Sequence, residues 1–206
     1  MKSSLKLLPF EIASMVVNSF VISRIDYCNS LLSNSSQHAL NWLQQVMNAA
    51  ARLVCHTGWL TPVSGLLCDW LHWLHMPERV RYKLCLLVFK AILGTAPDYL
   101  NKLCQSNAED TAHSQLHSTA HSDLQVRFSK TIIGDRTFAV AGPASWNRLP
   151  AAIWSSDTLQ NFKNQLKAHL SCRPFLFLFH SSWAQAPLNW TLCYSRWEIN
   201  DLLFCT

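Results

Sequence analysis

The sequence predicts a mainly α fold with a few short β-strands: an incomplete helical domain followed by an irregular C-terminal tail. Three observations carry that expectation. Apolar residues recur at intervals of three and four along most of residues 11–103, the interval shortens to two around residues 124–128 and 138–140, and no period survives past Leu170.

Taken in order, residues 11–23 make a helix with Ile12, Val16 and Phe20 on one side. Residues 38–54 hold the clearest amphipathic pattern. There Leu40, Leu43, Met47, Ala50 and Val54 alternate steps of three and four, and Ala49–Ala51 favours helix locally. Thr61-Pro62 with Gly65 marks a break, and Pro77 a second. Val80, Leu84, Leu87 and Ala91 stripe the next helix, and Leu86, Val88, Phe89 and Ile92 make it apolar nearly all round, as expected of a central buried helix. Gly94 stops it, and Pro97 opens a short helix reaching Leu103.

Residues 105–122, rich in Ser, Thr and His, form a polar linker. Beyond it Leu124, Val126 and Phe128 alternate, as do Phe138 and Val140, which predicts short strands, the second ended by Gly142-Pro143. A last helix runs from a Ser156 or Asp157 cap with Leu159, Phe162, Leu166 and Leu170 facing inward. Four segments result: a helical region at 1–104, the linker at 105–122, strands and a terminal helix at 123–170, and an unrelated, poorly ordered tail at 171–206. The tail holds three Trp and three Cys but only four charged residues, so it has no face with which to join a core.

Half of the 206 residues are hydrophobic and only 14% are charged, against about 25% in an ordinary soluble domain. Such a chain needs either a very complete core or a partner to cover its surface. Eight cysteines include no C-x-x-C pair, and several lie in apolar helical stretches where a thiol behaves as a small hydrophobe. That points to a reducing compartment. The apolar run from Leu7 is broken by Pro9 and Glu11, so no signal peptide is expected. No stretch approaches the roughly 18 apolar residues of a membrane span; the best candidate, residues 84–93, contains Lys90. An intracellular location is the default expectation.

Chemistry-bearing clusters are few. Cys68, His72 and His75 stand at i, i+4 and i+7, so one helical face could offer three ligands, but zinc needs a fourth and Trp70, Leu71, Trp73 and Leu74 surround the set. A buried helical segment with incidental histidines is the better reading. His113, His117 and His121 share the spacing but fall in the least helical stretch. Two-metal nucleotidyl transfer needs clustered carboxylates, and the adjacent acidic pair, Glu109-Asp110, lies in a polar loop. There is no phosphate-binding glycine loop and no G-x-S-x-G elbow. No catalytic residue, metal site or cofactor is therefore assigned. Residues 121–170 do carry six basic residues (Arg127, Lys130, Arg136, Arg148, Lys163 and Lys167) against Asp123, Asp135 and Asp157. That bias makes weak, non-specific nucleic-acid contact the one binding expectation, set against a solvated face. Lys163 and Lys167 are expected opposite the apolar stripe of the last helix, pointing to solvent.

Five segments occur in a telling order: SRIDYCNSLL (23–32), LQQVMNAAARLV (43–54), HWLHMPERVRYKLCLLVFKAILGTAPDYL (72–100), GDRTFAVAGPASWNRLP (134–150) and LQNFKNQLKAHL (159–170). Together they resemble the C-terminal part of the reverse-transcriptase polyprotein of non-LTR (LINE-type) retrotransposons, over roughly residues 10–170. The resemblance implies a region downstream of the polymerase palm, with residues 1–104 thumb-like, and an ancestral partner in the palm domain. It places neither the endonuclease nor the catalytic aspartate pair within these residues. His75 stands where the family pattern has proline, His117 and Trp154 where it has arginine, and Arg127 where it has proline. The lost arginines remove charge useful for phosphate contact. A non-catalytic, retrotransposon-derived fragment without independent activity is the resulting expectation.

Overall fold

The computed structural model describes residues 8–105 and 123–171. It is mainly α-helical. The described residues fall into two compact units, one made of residues 8–27, 41–75 and Ser171, the other of residues 28–40, 76–105 and 123–170. The segments on either side of the polar linker thus belong to one unit. Among the described residues no helix is long and apolar enough to cross a membrane.

In the first unit, α1 (Phe10–Val17) continues through a π turn (Asn18–Ile22) into α2 (Ser23–Asp26). The buried positions are Ala13, Val17, Ile22 and Ile25, whereas Ile12 and Phe20, expected inside, are 45% and 74% exposed. Ile12 precedes the π turn, and there α1 instead buries Ala13 and Val17, four residues apart. Beyond it the extra residue of the π turn makes the step from Val17 to Ile22 five, so Phe20 leaves the buried face. The long helix α3 (Gln37–Val54), which belongs to this unit from Asn41 onward, buries Met47, Ala50, Ala51 and Val54, with Leu40 and Leu43 half-buried. Its end is closed by two crossed bonds, Thr57 N–H to Arg52 C=O at 3.0 Å and His56 N–H to Leu53 C=O at 3.4 Å. That closure holds His56 at φ +52°, a left-handed position where glycine is usual.

Pro62 precedes α4 (Val63–Gly65), which leads into a second π turn (Leu66–Trp70). Gly65, expected as a break, therefore lies inside helical backbone, and the break between α3 and α4 is residues 55–62. Leu66, Leu67, Leu71, Trp73 and Leu74 are buried.

The second unit is organised on α5 (Met76–Ile92), which packs against a 3₁₀ turn (Asn29–Leu32) and three further helices, one of them α6 (Asp98–Asn101). Pro77 sits in the first turn of α5, where its missing N–H costs nothing. The helix is buried nearly all round, including Arg79 at 1% exposure. Gly94, at φ +68°, ends it with the same crossed closure: Thr95 N–H to Lys90 C=O and Gly94 N–H to Ala91 C=O. Pro97 then caps α6.

No strand occurs among the described residues, where Leu124 forms an isolated bridge and residues 125–129 are irregular. The expected second strand is a helix, α7 (Phe138–Trp146), and Gly142 and Pro143 lie inside it. Two alternating apolar residues were too few to set a period. Thr137 instead starts the helix with its carbonyl, accepting from Val140 and Ala141 N–H at 3.1 and 2.9 Å. Gly142 permits the close packing of α7 on α5, since a Cβ there would come within 3.2 Å of Val88 Cγ2. After α8 (Ala151–Trp154), α9 (Leu159–Leu170) begins from Thr158, whose hydroxyl accepts from Asn161 N–H at 3.2 Å. Ser156, an expected cap, is buried and donates to Ile153 C=O at 2.8 Å. Phe162 and Leu166 are fully buried. The core closes on three rings from three helices: Phe89 (α5) stacks on Phe162 (α9) at 4.0 Å and 5°, and Trp146 (α7) lies 5.8 Å from Phe162 and 6.3 Å from Phe89.

Candidate nucleic-acid interface

All six basic residues singled out by the sequence lie in the second unit. Arg127 and Lys130 are exposed on an irregular loop, residues 125–133, that is tied at both ends. At its base the Asn147 side chain clasps Leu124 at two points: Leu124 N–H donates to Oδ1 and Nδ2 donates to Leu124 C=O, both at 2.9 Å. The amide thus imitates a neighbouring strand, satisfying both polar groups of a buried residue. Gln125 N–H donates to Gln105 C=O at 2.9 Å.

At the far end the Thr131 hydroxyl accepts from Gly134 N–H at 3.0 Å, and Thr131 C=O accepts from Asp135 N–H at 3.1 Å. A Cβ on Gly134 would run into Ser129 Oγ, so in this turn a larger residue would have to displace the Ser129 side chain. Asn34 Nδ2 donates to Asp135 C=O at 2.9 Å and so ties the turn to the earlier chain segment.

Arg148 is exposed and directly follows Asn147. Because Arg127 is three residues from Leu124, and Asn147 holds Leu124, the Cα atoms of Arg127 and Arg148 lie within roughly 20 Å by chain length alone. Arg136, in the 3₁₀ turn Gly134–Arg136, is half-buried, with its Nε buried and without a hydrogen bond. Lys163 and Lys167 are half-buried rather than opposite the apolar stripe. The helical period explains this: at about 100° per residue, Lys163 and Lys167 fall on the flank of the face carrying Leu159, Phe162, Leu166 and Leu170. The structure therefore leaves Arg127, Lys130 and Arg148 exposed and the other three half-buried.

The metal candidate dissolves geometrically. Cys68 is in the second π turn, that turn ends at Trp70, and His72 takes a left-handed φ of +51°, so Cys68, His72 and His75 share no helical face. Among the described residues no group of three His, Cys, Asp or Glu is placed to hold a metal ion. His113, His117, His121 and the Glu109-Asp110 pair lie outside the described residues. The described cysteines have free thiols. Burial pushes Cys85 up to about 12 and Cys104 up to about 11, and raises Cys55 as well. Thiols held protonated are poor nucleophiles.

Sequence reasoning missed the Asn147 clasp and the exposure of Phe128, Ile132 and Ile133 at 87%, 72% and 78%. An asparagine wedged between a core tryptophan and an exposed arginine was the available signal for the first. Compared with protein-family models, curated proteins and solved structures, the chain matches none.

Proposed function

We propose that this chain is a non-catalytic fragment derived from the post-palm part of a non-LTR retrotransposon reverse transcriptase, without independent biochemical activity. Its helical domain is an incomplete one, shaped to lean on a palm domain that these 206 residues do not include. The supporting observation is how the residues that carry the resemblance are used. In the segment 134–150, Gly134 closes a turn, Gly142 admits close helix packing, Trp146 joins the aromatic core and Asn147 clasps Leu124. These are scaffold roles, and a scaffold persists when its chemistry lies in another domain. Primer extension with Mg²⁺ or Mn²⁺ tests the reading: the purified chain should extend no primer. Extension that disappears on Glu109→Ala with Asp110→Ala would overturn it.

A second reading is weak, non-specific RNA or DNA binding, favoured by the exposure of Arg127, Lys130 and Arg148. Phosphate contacts release counterions, so affinity should be on the order of micromolar or weaker and fall steeply with salt. Fluorescence anisotropy with labelled RNA and duplex DNA decides it. Binding that ignores salt, or that is unchanged in the Arg127→Ala, Lys130→Ala, Arg148→Ala variant, rejects these residues.

A further inference from the structure

The loop 125–133 presents a combination that the nucleic-acid reading does not use. Phe128, Ile132 and Ile133 stand 87%, 72% and 78% exposed, with Val126 at 44%. Arg127 and Lys130 are exposed among them, and residues 125–133 contain no acidic residue. Bulky apolar side chains this far out of a folded unit mark an interaction surface.

Nor is the loop a loose strand that happens to be solvated. The Asn147 clasp on Leu124 anchors one end, and the Thr131–Gly134–Asp135 bonds close the other. A tip tied at both ends exposes its apolar residues as a feature of the fold.

We propose that this loop is an interfacial anchor that inserts Phe128, Ile132 and Ile133 into an anionic phospholipid bilayer, with Arg127 and Lys130 resting among the headgroups. Three arguments select that occupant. The charge is complementary: two exposed cations and no carboxylate in the loop suit a negatively charged leaflet, where each basic residue adds to binding. The apolar residues are aliphatic as much as aromatic, and Ile132 and Ile133 offer no π face on which a nucleic-acid base could stack. Side chains that stand nearly clear of the surface need no preformed cleft when the receiving phase is fluid. Such a contact rests on the surface and differs from a span, for which no described helix is long and apolar enough.

The proposal is independent of the retrotransposon reading. Its test is sedimentation of the full chain with vesicles of phosphatidylcholine alone and with about 30% phosphatidylserine added. The chain should pellet with the anionic vesicles, less so as salt rises. Each of Arg127→Ala and Lys130→Ala should weaken binding about fivefold. Phe128→Ser with Ile132→Ser and Ile133→Ser should abolish pelleting, while circular dichroism confirms that this surface variant keeps its helices. Equal pelleting with both vesicle types, none with either, or a serine variant that binds like the parent overturns the anchor. So does loop-dependent self-association without lipid, seen by light scattering, or a loop that binds only single-stranded RNA.

Discussion

Truncating one ring should separate a packed unit from a loosely collapsed helical chain. Phe162 is 0% exposed, stacks on Phe89 at 4.0 Å and lies 5.8 Å from Trp146, so Phe162→Ala opens a cavity where three helices meet. Such truncations cost about 3–5 kcal/mol, of which the ring–ring geometry accounts for about 0.5–1.5 kcal/mol. Against a domain stability of about 5–15 kcal/mol, that is a large fraction. With a urea m-value of about 1–3 kcal/mol/M, a cost of about 4 kcal/mol lowers the unfolding midpoint by about 2 M. The assay is urea unfolding followed by far-UV circular dichroism, with Phe128→Ala as control. That residue is 87% exposed and its loss should change stability by no more than about 0.5 kcal/mol. A cycle of Phe89→Leu and Phe162→Leu should return a coupling of about 1 kcal/mol. If Phe162→Ala moves the midpoint no further than Phe128→Ala does, or if the parent chain unfolds without a cooperative transition, the three-ring core is wrong.

Three other outcomes follow from the same geometry. Asn147→Ala leaves both polar groups of buried Leu124 without their partner; a loss of about 2 kcal/mol is expected in urea, with faster hydrogen exchange at the Leu124 amide. His56→Gly relieves an exposed left-handed residue at φ +52°, so it should stabilise by about 0.5–1 kcal/mol even after the larger unfolded-state entropy of glycine, whereas Gly94→Ala at φ +68° should destabilise by a similar amount in thermal melts. For Cys85 the folded thiol is raised to about 12 by burial, so the folded state holds its proton longer than the unfolded one. Its stabilising contribution is therefore intact below the ordinary thiol range and lost as pH climbs towards 12, at up to about 1.4 kcal/mol per pH unit. Urea midpoints between pH 8 and 11 should fall less steeply in Cys85→Ala than in the parent, and equal slopes would remove Cys85 as a cause.

What was legible in the sequence was what local physics decides. The stripe of α3, the all-round apolarity of α5, the Gly94 stop and the Phe162–Leu166 face of α9 follow from repeat spacing and backbone stereochemistry within one or two turns. Periodicity failed where a local rule was broken by a single residue. The π turn at Asn18–Ile22 rotates the buried face, so Phe20 emerges, and two alternating residues at Phe138 and Val140 could not outweigh a helix started by Thr137 and packed on α5. The candidate site divided the same way. Charge composition located Arg127, Lys130, Arg136, Arg148, Lys163 and Lys167, but exposure separated them, because Lys163 and Lys167 lie on the flank of a buried stripe. Only the tertiary structure could join residues 23 positions apart through the Asn147 clasp, or bring Phe89, Trp146 and Phe162 to one point. Such contacts depend on how whole helices close on one another, and repeat spacing within a single helix carries no term for the distance to its neighbour.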